Sequence, residues 1–168
     1  MSTEEHRQQS PRNLGFEIVT VSDTRTRSTD ESGTQIRRLI VEAGHRVEGS
    51  AIVPDEIAAI QETVRGMLRA RGTDVIVLTG GTGFSPRDRT VEAVAPLFDR
   101  PIEGFGELFR MLSFEQVGAA AMLSRACAGV VKEKAVYALP GSTKAVTLAM
   151  TRLVLPEVGH LLGQLRRR

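Results

Sequence analysis

The stretch Thr79 to Thr90, TGGTGFSPRDRT, places three glycines within four residues and follows them with an Arg-Asp pair. Glycine lets a backbone turn sharply and approach a ligand with no Cβ in the way. The successive N–H groups of Gly80, Gly81, Thr82 and Gly83 can converge on a phosphate, helped by the Thr82 hydroxyl and the start of the next helix. The loop lacks the Gly-Lys-Ser/Thr of a P-loop and the G-x-G-x-x-G of a dinucleotide fingerprint. A plain tight turn accounts for the glycines equally well. Arg87 and Asp88 tilt the balance. On an open surface such a pair contributes little, but beside a phosphate it offers a guanidinium to the anion and a carboxylate to a metal or polar ring group.

Asp55 lies in VPDE (53–56). Taken alone it reads as an acid at a helix N-terminus, favoured by the macrodipole. At the carboxyl end of a strand it can also share a Mg²⁺ with Asp88, because that ion prefers carboxylates and substrate phosphates to nitrogen ligands. Ser22, Asp30, Ser32 and Gly33 fall in another loop of the same kind, where Ser32 is expected to cap the following helix. Pro140 and Gly141 fall in LPGS (139–142), which reads as a strand stop with a helix cap at Ser142. Other chemistries find no support. His6, His45 and His160 are far apart with Cys127 the one cysteine, so a structural zinc site is not expected. No G-x-S-x-G elbow occurs, and Ser124 has no evident histidine partner.

These loops need elements to hold them. Apolar patterning predicts strands at 16–21, 45–53, 74–79, 126–131 and 134–139. The near-continuous apolar run at 74–79 suits a central parallel strand covered on both faces. Helical spacing is seen in Ile36, Leu39, Ile40 and Ala43, then in Ile57, Ile60, Val64 and Leu68. Thr90 can cap a short helix through Leu97. Further helices are expected over 104–118, after Ser142, and from Pro156. Strands alternating with helices imply a mostly parallel sheet with helices on both faces. In such sheets ligands bind outside the carboxyl ends of the strands near a switch in strand order. The loops after Val21, Val53, Thr79 and Leu139 are therefore the places to search.

The 168 residues suit one domain over 14–168, preceded by a polar tail (1–13) expected to be disordered. The 22 basic and 20 acidic residues nearly cancel and are scattered, with one Tyr and no Trp, which argues against a nucleic-acid partner. The single cysteine excludes an internal disulfide framework, and Cys127 reads as core. The N-terminus has no apolar signal region, and the apolar runs fall short of the roughly 20 residues of a membrane span. A cytoplasmic protein without a membrane partner is the expectation.

In order and spacing, VSDTRTRSTDESG (21–33), VPDE (53–56), TGGTGFSPRD (79–88), GFGELFRMLSFEQVG (104–118), LSRACAG (123–129) and LPGSTKAV (139–146) resemble the MoaB/Mog family of molybdenum cofactor biosynthesis proteins. SFEQVG leading into LSRACAG, together with LPGST, looks more like the MoaB branch. The resemblance implies a three-layer α/β/α fold and binding of molybdopterin, a phosphorylated pterin dithiolene. It implies transfer of AMP from ATP to the terminal phosphate of molybdopterin, with Mg²⁺ and release of pyrophosphate. Carried over by position, Gly80 to Gly83 would hold the phosphate end and pterin, and Asp88 would line the same pocket. Asp55 would be the acid needed for adenylyl transfer, acting through the metal. Ser22, Asp30, Ser32 and Gly33 would lie on the ATP side, and Ser124 and Gly141 near the pocket wall. The family also implies a trimer or hexamer, for which the apolar residues between Phe105 and Met122 could supply contacts. Two alternatives stand beside the enzyme: a molybdopterin-binding protein without catalysis, and a related nucleotide pyrophosphatase-like domain.

Overall fold

A computed structural model describes Glu4 and residues 10–167. Six strands form one sheet in the order β2-β1-β3-β6-β5-β4. They are β1 (Gly15–Val21), β2 (Arg46–Val53), β3 (Val75–Thr79), β4 (Arg100–Pro101), β5 (Cys127–Val131) and β6 (Lys134–Leu139). The first four in spatial order run parallel, and β5 and β4 complete the sheet antiparallel. The two-residue β4 has no apolar periodicity to announce it and was not expected from the sequence.

Period-2 alternation divides the core. Phe16, Ile18, Val75, Val77 and Tyr137 face α1 (Glu31–Glu42), α4 (Glu103–Val117) and the C-terminal helices. Val19, Val21, Ile76, Leu78, Val136 and Ala138 face α2 (Ile57–Arg69) and the short α3 (Thr90–Val94). The result is a three-layer α/β/α sandwich, with β3 buried along its whole length as its composition requires.

The C-terminal helices form one run. α5 (Thr143–Ala149), a wide π-helical segment (Met150–Val154) and α6 (Leu155–Leu165) follow without a break. The sequence suggested two separate helices because Pro156 looked like a new start. Proline lacks the N–H that the helix interior uses and clashes with the carbonyl four residues back, and the widened turn before it accommodates both. This 23-residue run is long and apolar enough, by length and composition, to cross a membrane, although each sequence segment fell short. Val146, Met150, Val154, Val158 and Leu162 are all fully buried against the sheet, so the run serves as a core helix. Most of the polar tail lies outside the described residues. Within it, Ser10 and Pro11 pack against Gly159.

Register places the site. Val21 pairs with Val53, Thr20 with Thr79, and Thr79 with Leu139, so the four parallel strands end together. All four loops named from the sequence leave this one edge. The chain passes from β1 outward to β2, then back across β1 to β3, and the reversal lies between β1 and β3.

Candidate functional site

The glycine bend sits at that reversal. Gly80 has φ +101° and Gly81 φ +71°, conformations that a side chain disfavours. A Cβ on Gly80 would strike the Val21 carbonyl. One on Gly81 would strike the Thr90 hydroxyl and lie 2.6 Å from Asp55 Oδ2, and one on Gly83 would lie 2.7 Å from Asp88 Oδ2. The glycines are thus fixed by close approach and not only by the turn.

Hydrogen bonding within the bend is one-sided. The carbonyl of Gly80 accepts from the Thr90 hydroxyl (2.7 Å) and that of Gly81 from the Thr90 amide (3.0 Å). The carbonyl of Thr82 accepts from the Arg125 amide (2.9 Å) and that of Gly83 from Arg125 Nε (2.8 Å). The amides of Gly81, Thr82, Gly83 and Phe84 have no acceptor among the described residues. Four consecutive donors are left for a ligand while the matching acceptors are drawn back into the protein.

Arg125 organises this arrangement, and the sequence reading passed over it in favour of its neighbour Ser124. Its guanidinium also donates to the Asp88 carbonyl (3.2 Å), pairs with Glu92 and lies 5.2 Å from the centre of the exposed Phe84 ring. These contacts span 33 to 42 residues of sequence, beyond what local periodicity shows. Ser124 instead lines a cavity of about 660 Å³ with Arg110 and Cys127 on the β5 side. Burial pushes the half-buried Cys127 thiol up to about 11, which leaves little thiolate at neutral pH.

Asp55 and Asp88 come to the same bend. Asp55 is buried, with Oδ1 accepting from the Arg89 amide (2.9 Å). Burial, together with the charges of Asp88 and Asp23, raises its pKa above the ordinary aspartate value. Asp88 Oδ2 accepts from the Ser85 amide (2.8 Å), closing the tight turn 85–88. Arg87 holds Asp23 with both ends of its guanidinium (2.9–3.0 Å). Asp23, in turn, accepts the Asp55 amide (3.0 Å), and this bond is the chief reason its pKa is lowered. Asp23 therefore joins the first and second loops, a linking role that the sequence did not reveal.

Of the candidates on the first and last loops, Ser32 and Pro140 meet Thr79 just before the bend, and Gly141 packs on Gly80. Two helix caps differ from expectation. Asp30, not Ser32, caps α1, accepting the Gly33 amide (3.0 Å) and the Thr20 hydroxyl (2.6 Å). Ser32, inside the first turn, accepts from the Thr79 hydroxyl (3.1 Å), which also contacts the Pro140 carbonyl. Thr90 lies within α3, its hydroxyl on Gly80, and the Arg89 cap position contributes no side-chain bond. Gly33 has no room for a Cβ beside Asp30 and Thr20. Gly141 packs on the Gly80 Cα, 3.3 Å from its own Cβ direction. Ser22 is turned onto its own loop, accepting from the amides of Thr24 and Arg25. Ser142 caps α5 as expected.

No group of three or more His, Cys, Asp or Glu with metal-binding spacing occurs among the described residues. Two carboxylates with a further one behind them still fit a Mg²⁺ that takes its remaining ligands from water and substrate phosphates.

Comparison with known proteins follows this geometry. Residues 17–160 match the family described as a probable molybdopterin binding domain. A Bacillus cereus molybdenum cofactor biosynthesis protein B is 48% identical over 168 aligned residues, covering 99% of each chain. A crystal structure of a molybdenum cofactor biosynthesis protein B superposes with TM-score 0.92 at 48% identity, covering 95% of this chain and 100% of that one. The tungsten cofactor synthesizing protein MoaB from Pyrococcus furiosus gives TM-score 0.82 at 36% identity, covering 94% of this chain and 100% of that one.

Proposed function

Because the chain belongs to the MoaB/MogA molybdopterin-binding family, in its molybdenum cofactor biosynthesis protein B branch, we propose that it is a molybdopterin adenylyltransferase. An oxygen of molybdopterin's terminal phosphate attacks the α-phosphorus of ATP. The bond from that phosphorus to the β-phosphate oxygen breaks, and pyrophosphate leaves. The observation that carries the reading is the bend of Gly81 to Phe84, whose four amides have no acceptor among the described residues while the carbonyls of Gly80 to Gly83 are held.

The chain's own residues have limited work in this reaction. The nucleophile is a phosphate oxygen, ionised at neutral pH, so no histidine base is needed. What matters is placement and charge neutralisation. The bend amides hold the molybdopterin phosphate, and Thr90 and Arg125 keep the carbonyls of Gly80 to Gly83 turned away from it. Asp55, with Asp88, would hold Mg²⁺, which offsets phosphate charge when bound. The Arg87–Asp23 pair steadies the Asp55 loop, since Asp23 accepts the Asp55 amide. Asp30, Ser32 and Gly33 shape the ATP side.

Incubating the protein with ATP, Mg²⁺ and molybdopterin should release pyrophosphate only when molybdopterin is present. Binding of molybdopterin without pyrophosphate release would reduce the protein to a carrier. Hydrolysis of nucleotides without molybdopterin would favour a pyrophosphatase-like activity.

The reading includes a cytoplasmic trimer or hexamer. Leu108, Met111, Phe114 and Val117 on α4 are all largely exposed, as are Met122 and Leu123 beyond its end. Isolated exposed apolar residues are ordinary, but six large ones within sixteen residues of chain favour a contact surface in this region. Phe114→Glu should shift the protein to monomer in sedimentation velocity without loss of helix content. An unchanged sedimentation coefficient would place the subunit contact elsewhere.

A further inference from the structure

A cavity of about 300 Å³ opens between α4 and the C-terminal helical run, at the small end of the range for ligand sites. Phe105 and Leu108 line it from α4, Leu153 and Leu161 from the C-terminal run, and Tyr137 from β6. None of its lining residues belongs to the four loops at the carboxyl edge of the sheet, so it is separate from the candidate site. Tyr137 is the unusual member. It is 5% exposed, and its hydroxyl makes no hydrogen bond with the described residues. No side-chain oxygen or nitrogen that is fully shut away lacks a partner among the described residues. The hydroxyl is therefore not shut away, and it opens on the cavity that Tyr137 lines.

A buried tyrosine hydroxyl ordinarily has a partner within the protein. Here the partner has to come from an occupant of the cavity. Three observations define that occupant. The Tyr137 and Phe105 rings meet edge-on with centroids 5.3 Å apart, and Phe105 lies against Phe109 at 6.1 Å, so a further flat ring extends an existing aromatic cluster. The hydroxyl calls for one polar group on that ring. Burial first, and then the Glu157 carboxylate, raise the Tyr137 pKa, which keeps the hydroxyl protonated and sets Glu157 close enough to repel an acid. We infer that this cavity binds a small neutral aromatic molecule whose one polar group hydrogen-bonds the Tyr137 hydroxyl. The inference is independent of the adenylyl-transfer reading.

Fluorine NMR of the intact protein with 4-fluorobenzyl alcohol tests it. The probe signal should shift saturably with wild type. Tyr137 is the one tyrosine and the chain has no tryptophan, so its fluorescence should change along the same binding curve. Tyr137→Phe removes the hydroxyl and keeps the ring. That variant should hold its melting temperature and bind about two- to tenfold more weakly, the loss of one buried hydrogen bond. 4-Fluorobenzoate, the same ring bearing a carboxylate, should bind at least about tenfold more weakly than the alcohol, and Glu157→Gln should narrow that gap. The inference is overturned if wild type leaves the probe signal unchanged, if tyrosine emission does not follow the curve, if Tyr137→Phe binds equally well, or if the benzoate matches the alcohol. Probe binding by the Phe114→Glu protein but not by wild type would make a second copy of the chain the occupant, and would overturn it equally.

Discussion

Alanine at position 81 is expected to destabilise the protein by about 2–5 kcal/mol and to abolish measurable molybdopterin binding. Roughly 1–2 kcal/mol comes from placing a Cβ in the left-handed region at φ +71°. A further 1–3 kcal/mol, roughly, comes from overpacking, because the new methyl meets the Thr90 hydroxyl and Asp55 Oδ2. Both neighbours are fixed, Thr90 by its bond to the Gly80 carbonyl and Asp55 by the Arg89 amide. Relief therefore requires the bend itself to move, and its amides move with it. Gly66→Ala serves as the control. Its Cβ meets nothing within 4 Å in the middle of α2, and it should stabilise by about 0.5–1 kcal/mol. Denaturant titration of both variants checks the pair. A Gly81→Ala protein as stable as wild type, with ligand affinity intact, would remove the bend from the site.

Asp55→Asn should reduce turnover by about 10²-fold or more while leaving molybdopterin binding within a few-fold of wild type. The amide oxygen can still accept from the Arg89 amide, so the loop keeps its shape, but the charge that would hold the cation is gone. Stability should move the other way. The folded pKa of Asp55 is raised, chiefly by burial and then by neighbouring negative charges. A raised acid contributes stability below its unfolded value of 3.8, and that contribution is lost as pH rises through the folded value. At neutral pH the native protein carries the cost of the buried charge, and the asparagine variant should be at least as stable. Single-turnover assays, with thermal melts of the variant against pH, test both statements. An active asparagine variant would make Asp55 a structural residue only.

Much of this was legible from the chain. Apolar runs and period-2 alternation located the central strands, and the rule for parallel sheets selected the loops that share one edge. The glycine bend and its two aspartates were identifiable because glycine and acid types at fixed spacing carry local meaning. Other features depend on distant partners. Arg125 organises the bend through contacts with Gly83, Asp88 and Glu92, and no local pattern separates it from any other arginine. Asp23 gains its role only when β1 and β2 end side by side. The α1 cap was assigned to Ser32 because serine caps helices well, yet Thr79 across the sheet claims that hydroxyl, and Asp30 takes the cap. Placement tied to sequence spacing was readable, and placement tied to sheet register was not.

The widened turn before Pro156 reconciles two different pitches. Val146, Met150, Val154, Val158 and Leu162 follow one another at intervals of four, and all five are fully buried. On a regular α-helix, at about 100° per residue, each such step would swing the next side chain roughly 40° around the axis. The row would be wrapped to the far side by its end. A few residues wound more loosely subtract from that swing, which helps the row stay on the buried side for the length of the run. The proline and the interval of four thus solve a single problem of alignment, in a helix that would otherwise have to break or expose its apolar edge.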